Sequence, residues 1–134
     1  MHLVDTSIWI EFLRPNGSPR IQKQLKPLIQ AGDVALTEWI ILELMTGLRT
    51  NEQFAALLAQ LKPIDRLSLA KDSWENAWEL AAHLRKKGMT TSAAGCLIAT
   101  IAVTHTAVLI HCDSDFELIA KHSDLKTLNW IPLL

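Results

Sequence analysis

Four of the fourteen acidic residues in this 134-residue chain stand where acids are costly. Asp5 interrupts "HLVDTSIWIEFL" at residues 2–13, and a carboxylate buried in such a run destabilises the fold unless something compensates it. Asp113 and Asp115 follow the apolar run "AVLIHC", with Ser114 between them. Glu43 lies on a helical face with Ile40, Leu44 and Gly47, at spacings i, i+3, i+4 and i+7. Gly47 costs a helix about 1 kcal/mol relative to Ala but leaves open space beside the acid. The acids Glu52, Asp72, Glu75, Glu79 and Asp124 lie in polar stretches and read as solvated faces or caps.

Three Asp residues at the ends of apolar runs and one inward Glu suggest a particular chemistry. Two carboxylates about 4 Å apart repel by roughly 4 kcal/mol at an effective dielectric near 20, so a cluster must protonate or bind cations. Oxygen-only donors without His or Cys spacing suit Mg²⁺ or Mn²⁺, not zinc. Such an ion activates water and stabilises a leaving oxygen in phosphoryl chemistry, so no protein nucleophile is needed. Each acid also has a plainer reading. Asp5 or Asp115 would N-cap the helix that follows, and Glu43 would pair with Arg49. Competing motifs fail. "DTS" lacks the second Asp two residues on that aspartyl-phosphate phosphatases carry, no glycine-rich phosphate loop is present, and Ser7 forms no triad spacing with the five His.

The elements that must position these acids alternate. "HLV" reads as a strand running into helical "SIWIEFL". "RIQKQLKPLIQ" reads as a helix kinked at Pro27 and ended by Gly32. "VAL" at 34–36 is a strand, followed by "EWIILELMTGL" with Thr37 as N-cap. "NEQFAALLAQL" is a helix and "IDRLSL" a strand. "SWENAWELAAHLRKKG" is an amphipathic helix with Trp74, Trp78 and Ala81 on one stripe, basic residues in its last turn and Gly88 as its stop. "AAGCLIATIAV", "AVLIH", "DFELIAKH" and "KTLNWI" continue as helix, strand, helix, strand. This alternation predicts a mostly parallel, helix-covered sheet, in which ligands bind outside the carboxyl ends of the strands. Asp5, Asp113 and Asp115 fall at that edge. The length, 1–134, predicts one domain.

Composition narrows the class. The chain is 49% hydrophobic and 20% charged, with net charge −1, so no global field draws it to nucleic acid or anionic lipid. RNA or DNA would have to be held by local basic patches or bound cations. Cys96 and Cys112 read as buried free thiols of a reducing compartment, hence a cytoplasmic protein. The N-terminal stretch lacks a basic n-region and a secretory signal is not expected. Residues 90–112 carry no Asp, Glu, Lys or Arg, but "THT" at 104–106 divides them. The expectation is a buried helix then a buried strand, with no membrane span.

At this point the residues resemble a known family. "LVDTSIWIEFL" at 3–13, "ILELMTGLR" at 41–49, "LIATIAV" at 97–103 and "HCDSDFELIA" at 111–120 are similar, in order and over nearly the whole chain, to the PIN-domain ribonucleases. Within these the match is to the VapC-type toxins of bacterial toxin–antitoxin pairs. The resemblance implies a three-layer α/β/α sandwich and Mg²⁺-dependent (or Mn²⁺-dependent) endoribonuclease activity on structured RNA. It also implies homodimers and a small antitoxin whose tail enters the active-site groove. By motif position, Asp5, Glu43 and Asp113 are the catalytic acids, and with Asp115 they are the metal ligands. The family's third acid stands two residues before "LIA"; here that position is Gly95.

Gly95 is an odd residue for its place. With Ser92 as N-cap, residue 95 is N3, where an acid completes a capping box and meets the positive helix end. Glycine forfeits both. The bland reading is drift or the close approach of another backbone. The sharper one is loss of an Asp, because an active RNA-cutting toxin poisons its producer, and it predicts weakened metal binding and cutting. The alternative class is a catalytically inactive module that still binds RNA or antitoxin; a processing nuclease of the same fold, acting on RNA or DNA, is a third. Arg14 and Arg49 follow Asp5 and Glu43 closely, so both are candidates to contact RNA phosphate or the antitoxin's tail; otherwise they form surface salt bridges. "RKK" at 85–87 complements its helix end. Trp9, Trp39, Trp74, Trp78 and Trp130 fit core or interface roles rather than base stacking, and the N-terminal helices are candidate dimer faces.

Overall fold

The computed structural model describes residues 1–134. Its elements follow the expected order: β1 (His2–Val4), α1 (Thr6–Leu13), α2 (Pro19–Gln30), β2 (Val34–Leu36), α3 (Glu38–Thr46), α4 (Asn51–Leu61), β3 (Asp65–Arg66), α5 (Ser73–Lys86), α6 (Ala93–Thr104), β4 (Val108–His111), α7 (Ser114–Lys121), β5 (Thr127–Asn129) and a closing 3₁₀ turn (Ile131–Leu133). Helix starts are set by local chemistry. The hydroxyls of Ser18, Thr37, Thr50 and Ser92 each accept the backbone N–H of a residue three positions on, satisfying a donor the helix leaves unpaired. Gly32 and Gly88 adopt φ of 70° and 81°, the left-handed conformation glycine permits after a helix. α2 continues through Pro27.

All strand pairs are parallel, in the order β3-β2-β1-β4-β5. Right-handed crossovers then put α1–α4 on one face of the sheet and α5–α7 on the other, a three-layer α/β/α sandwich. β2 and β3 extend one way from β1, and β4 and β5 the other. The strand order therefore reverses between β1 and β4, where such sheets bind ligands. Those two strands register Leu3 with Leu109 and Val4 with Ile110, so Asp5 and His111 lie at the same edge. The amide of Asp5 extends the pairing by donating to the Ile110 carbonyl at 3.0 Å.

The core is one apolar cluster running through both helix layers, with Trp9, Leu3, Ile8, Ile101 and Leu109 among its fully buried side chains. α6 is buried without interruption from Gly95 to Ala102, which explains why it carries no charge. The apolar run 90–112 thus divides into α6 and β4, and no helix is long and apolar enough to cross a membrane.

Two expectations change. The strand expected at "IDRLSL" is only Asp65–Arg66, an exposed edge. On α5 the buried side is Ser73, Ala77 and Leu84, while Trp74 and Trp78 face outward at 53% and 62% exposure. A stripe at helical period reports that residues share a side, not which side a neighbour covers; here α6 packs against the small residues.

Candidate functional site

The site is built at the β1/β4 edge. Asp5 leaves β1 and N-caps α1: its Oδ2 accepts Ser7 N–H at 3.0 Å and the Ser7 hydroxyl at 2.6 Å. Its residue is 6% exposed. The burial cost is thus offset by two hydrogen bonds and the positive end of α1, so the capping reading of Asp5 is correct. Capping occupies one oxygen. The other, Oδ1, has no hydrogen-bond donor in the protein and is not sealed from solvent.

Ser7 also reaches across the strand edge, because its Oγ accepts the amide of Cys112 at 3.0 Å. Thr6, the next residue on α1, donates to Glu43 Oε1 at 2.9 Å and ties α3 to the site. On the other flank, Asp113 N-caps α7, its Oδ1 taking Asp115 N–H at 3.0 Å. The cap is therefore Asp113, where the sequence reading had offered Asp115; Asp115 lies in the first helical turn. The Asp113 amide donates to His111 Nδ1 at 3.1 Å. With Nδ1 accepting, the ring proton sits on Nε2, which is buried without a hydrogen-bond partner, 3.5 Å from Glu117 Oε2.

These pieces enclose a cleft of about 240 Å³ whose walls include Asp5, Glu43, Asp113, Asp115 and Gly95. All four acids singled out in the sequence face this one space. Gly95 stands at N3 of α6, its amide donating to Ser92 Oγ at 2.9 Å. A Cβ there would meet Ser92 Oγ at 3.0 Å and Ile119 Cδ1 at 3.6 Å, and no backbone of another element within 4 Å. Close approach of another backbone therefore does not explain the glycine.

The arginines do not join the cleft. Arg14 pairs with Glu11 at 2.7 Å and lines a neighbouring apolar groove. Arg49 is exposed on the α3–α4 link, with only its amide engaged, to Gln53 Oε1 at 2.8 Å. It forms no salt bridge with Glu43, so the ion-pair reading of that acid is also not borne out. Gly47 ends α3 and opens onto the groove rather than the cleft. Both cysteines are free, Cys96 buried and Cys112 half-buried. Burial, and then the charges of Glu11 and Asp5, push the Cys112 thiol up to about 11.

Thr6, Ser7 and His111 were not read from the sequence as site residues. Thr6 and Ser7 sit in the motif "DTS", and their contacts to Glu43 and Cys112 bridge more than thirty and one hundred positions. No local spacing signals such pairs.

The donor set fits a hard divalent cation in kind, since oxygens of Asp5, Glu43 and Asp113 lack protein partners. It falls short in number: no group of three His, Cys, Asp or Glu side chains stands arranged to hold an ion. Mg²⁺ commonly uses one or two carboxylates with waters and substrate phosphates, so a weak site fits these residues.

The match to the PIN-domain model spans residues 2–122. The chain belongs to the PIN-domain family. It is similar to "VapC ribonuclease Mb1587" of Mycobacterium bovis and to Ribonuclease VapC11 of Mycobacterium tuberculosis, 29% identical to each, covering 97% of this chain and 99% of the relative. Among solved structures, VapBC2 from Rickettsia felis bound to a DNA fragment from its promoter superposes with a TM-score of 0.79 at 20% identity, covering 96% of this chain and 98% of that one. FitAcB from Neisseria gonorrhoeae superposes with a TM-score of 0.76 at 24% identity, covering 96% and 97%. At those identities the likeness is one of fold.

Proposed function

We propose that this chain is a metal-dependent endoribonuclease toxin of a toxin–antitoxin pair, weakened by the glycine at position 95. The observation that carries the reading is that Asp5, Glu43, Asp113 and Asp115 line one cleft with Gly95 in its wall. Likeness over nearly the full chain to proteins named VapC ribonuclease supports the activity. Asp5, Glu43 and Asp113 would hold Mg²⁺ or Mn²⁺, with Asp115 beside them. Such an ion supplies an activated water and charge stabilisation for phosphodiester hydrolysis. The chain's own residues do the positioning: Ser7 and the α1 terminus hold Asp5, Thr6 holds Glu43, and His111 holds the Asp113 backbone.

The partner in this reading is a small antitoxin, lodged in the apolar groove beside the cleft. That groove, about 600 Å³, is lined by Ile10, Leu13, Leu44, Leu48 and Leu57 with Arg14 beside them. Ile10 also lines the acidic cleft, so a peptide in the groove reaches the acids and would block RNA. Pairing of this cytoplasmic toxin with a second copy completes the reading.

A second reading rests on the missing third acid: an inactive module that binds RNA or antitoxin without cutting. One comparison separates them. Mg²⁺-dependent RNA cleavage and growth arrest are measured for the chain and for Gly95→Asp, beside RNA binding in chelator. The variant is expected to bind Mn²⁺ about tenfold or more tighter and to cut faster. Equal cutting by both would remove the claim of impairment; RNA binding with no cutting by either would favour the inactive module.

A further inference from the structure

We infer that the outer face of α5 is a self-association surface, onto which a second copy of this chain docks antiparallel across a two-fold axis. The inference rests on the homodimer in the reading above and on none of its nuclease chemistry. Trp74 and Trp78 each present more than half of their surface to solvent, at 53% and 62%. They stand one turn apart in a row with exposed Ala82, and Arg85 completes the row. The opposite side of the helix is already packed on α6 through Ala77 and Leu84. Exposed paired indoles are what interface centres use, since tryptophan dominates the energetics of such contacts. The chain exposes 7863 Å², against about 7,000 Å² expected of a folded monomer of this mass. One partner of a standard interface buries about 800 Å².

The charges choose the occupant. The first half of α5 carries Glu75 and Glu79, and its end carries Arg85, Lys86 and Lys87. Such a helix complements itself only when turned end for end, which is the operation of a two-fold axis. An axis level with Leu80 sets Trp78 against Ala82 of the second copy, large onto small. It also brings Arg85 of the second copy to Trp74 and Glu75, joining a cation–π contact to an ion pair. A single-stranded RNA is the poorer fit, because Glu75 and Glu79 flank the indoles and repel phosphate.

Sedimentation equilibrium of the full chain, without RNA or added metal, tests this. The native chain is expected to dimerise at micromolar concentration. Trp74→Ala/Trp78→Ala, with unchanged circular dichroism, is expected to weaken dimerisation about tenfold or more. Glu75→Arg or Arg85→Glu alone should weaken it, and the two together in one chain should restore it, since each copy then offers the reversed pair. A chain that stays monomeric would overturn both the surface and the homodimer. A dimer indifferent to the tryptophan variant, or a double reversal that fails to rescue, would overturn the surface alone. Loss of RNA or antitoxin binding on tryptophan removal, with self-association unchanged, would reassign the face to that ligand. None of these results bears on whether the cleft cuts RNA.

Discussion

The hydroxyl of Ser7 donates to Asp5 Oδ2 at 2.6 Å, and the same oxygen accepts Ser7's own amide at 3.0 Å. Because Ser7 Oγ also takes the Cys112 amide at 3.0 Å, one side chain joins the β1 acid to the loop that carries Asp113. Ser7→Ala breaks both contacts and leaves a half-buried N–H without its acceptor. The expected loss is about 1–3 kcal/mol, read from urea denaturation. Calorimetry should show weaker Mn²⁺ binding as Asp5 loses its orientation. A variant as stable as the parent would show that Ser7 is not the tie.

His111 is fully buried and supports the site from behind, with Phe116 packed at a ring-centroid distance of 5.2 Å. His111→Leu removes the acceptor for the Asp113 amide and should cost about 1–3 kcal/mol. His111→Asn keeps an acceptor at the Nδ1 position and should lose less. Nitrogen NMR of the native ring is expected to find the proton on Nε2. A proton on Nδ1 would contradict the contact.

Gly95→Asp places a Cβ 3.0 Å from Ser92 Oγ, so that hydroxyl must give by a few tenths of an ångström. In chelator the variant should melt within a few degrees of the parent. In saturating Mg²⁺ it should gain stability that the parent does not, reaching about 2.7 kcal/mol when the ion stands at a hundred times its dissociation constant. Equal metal-induced shifts in Tm for the two chains would deny position 95 a role in ion binding.

Gly17 follows α1 where the chain folds back on it. A Cβ at this position would lie 1.6 Å from the Glu11 carbonyl oxygen, so Gly17→Ala must displace the turn that carries Ser18, the N-cap of α2. The amide of Ser18 donates to Glu11 Oε2 at 2.8 Å, a contact this displacement would strain. The expected cost is about 3 kcal/mol or more, checked by urea denaturation. A loss under 1 kcal/mol, on the order of an ordinary surface change, would show that the turn relaxes freely.

What the sequence by itself determined was whatever depends on residues a few positions apart. Apolar period, capping hydroxyls and stop glycines marked nearly every element, and alternation of strand with helix led to the parallel sandwich. Asp5, Glu43, Asp113 and Asp115 were conspicuous because acids in apolar company need a reason. Tertiary structure alone decided the rest. It assigned one oxygen of Asp5 to a cap and left the other in the cleft, and it brought Ser7 to Cys112 and Thr6 to Glu43. It turned Arg14 to Glu11 and left Arg49 outside. It buried Ala77 and Leu84 in preference to Trp74 and Trp78. The physical reason is common to these cases: a side chain's neighbours across the fold depend on which surfaces pack, and packing is settled by the whole core at once rather than by local spacing.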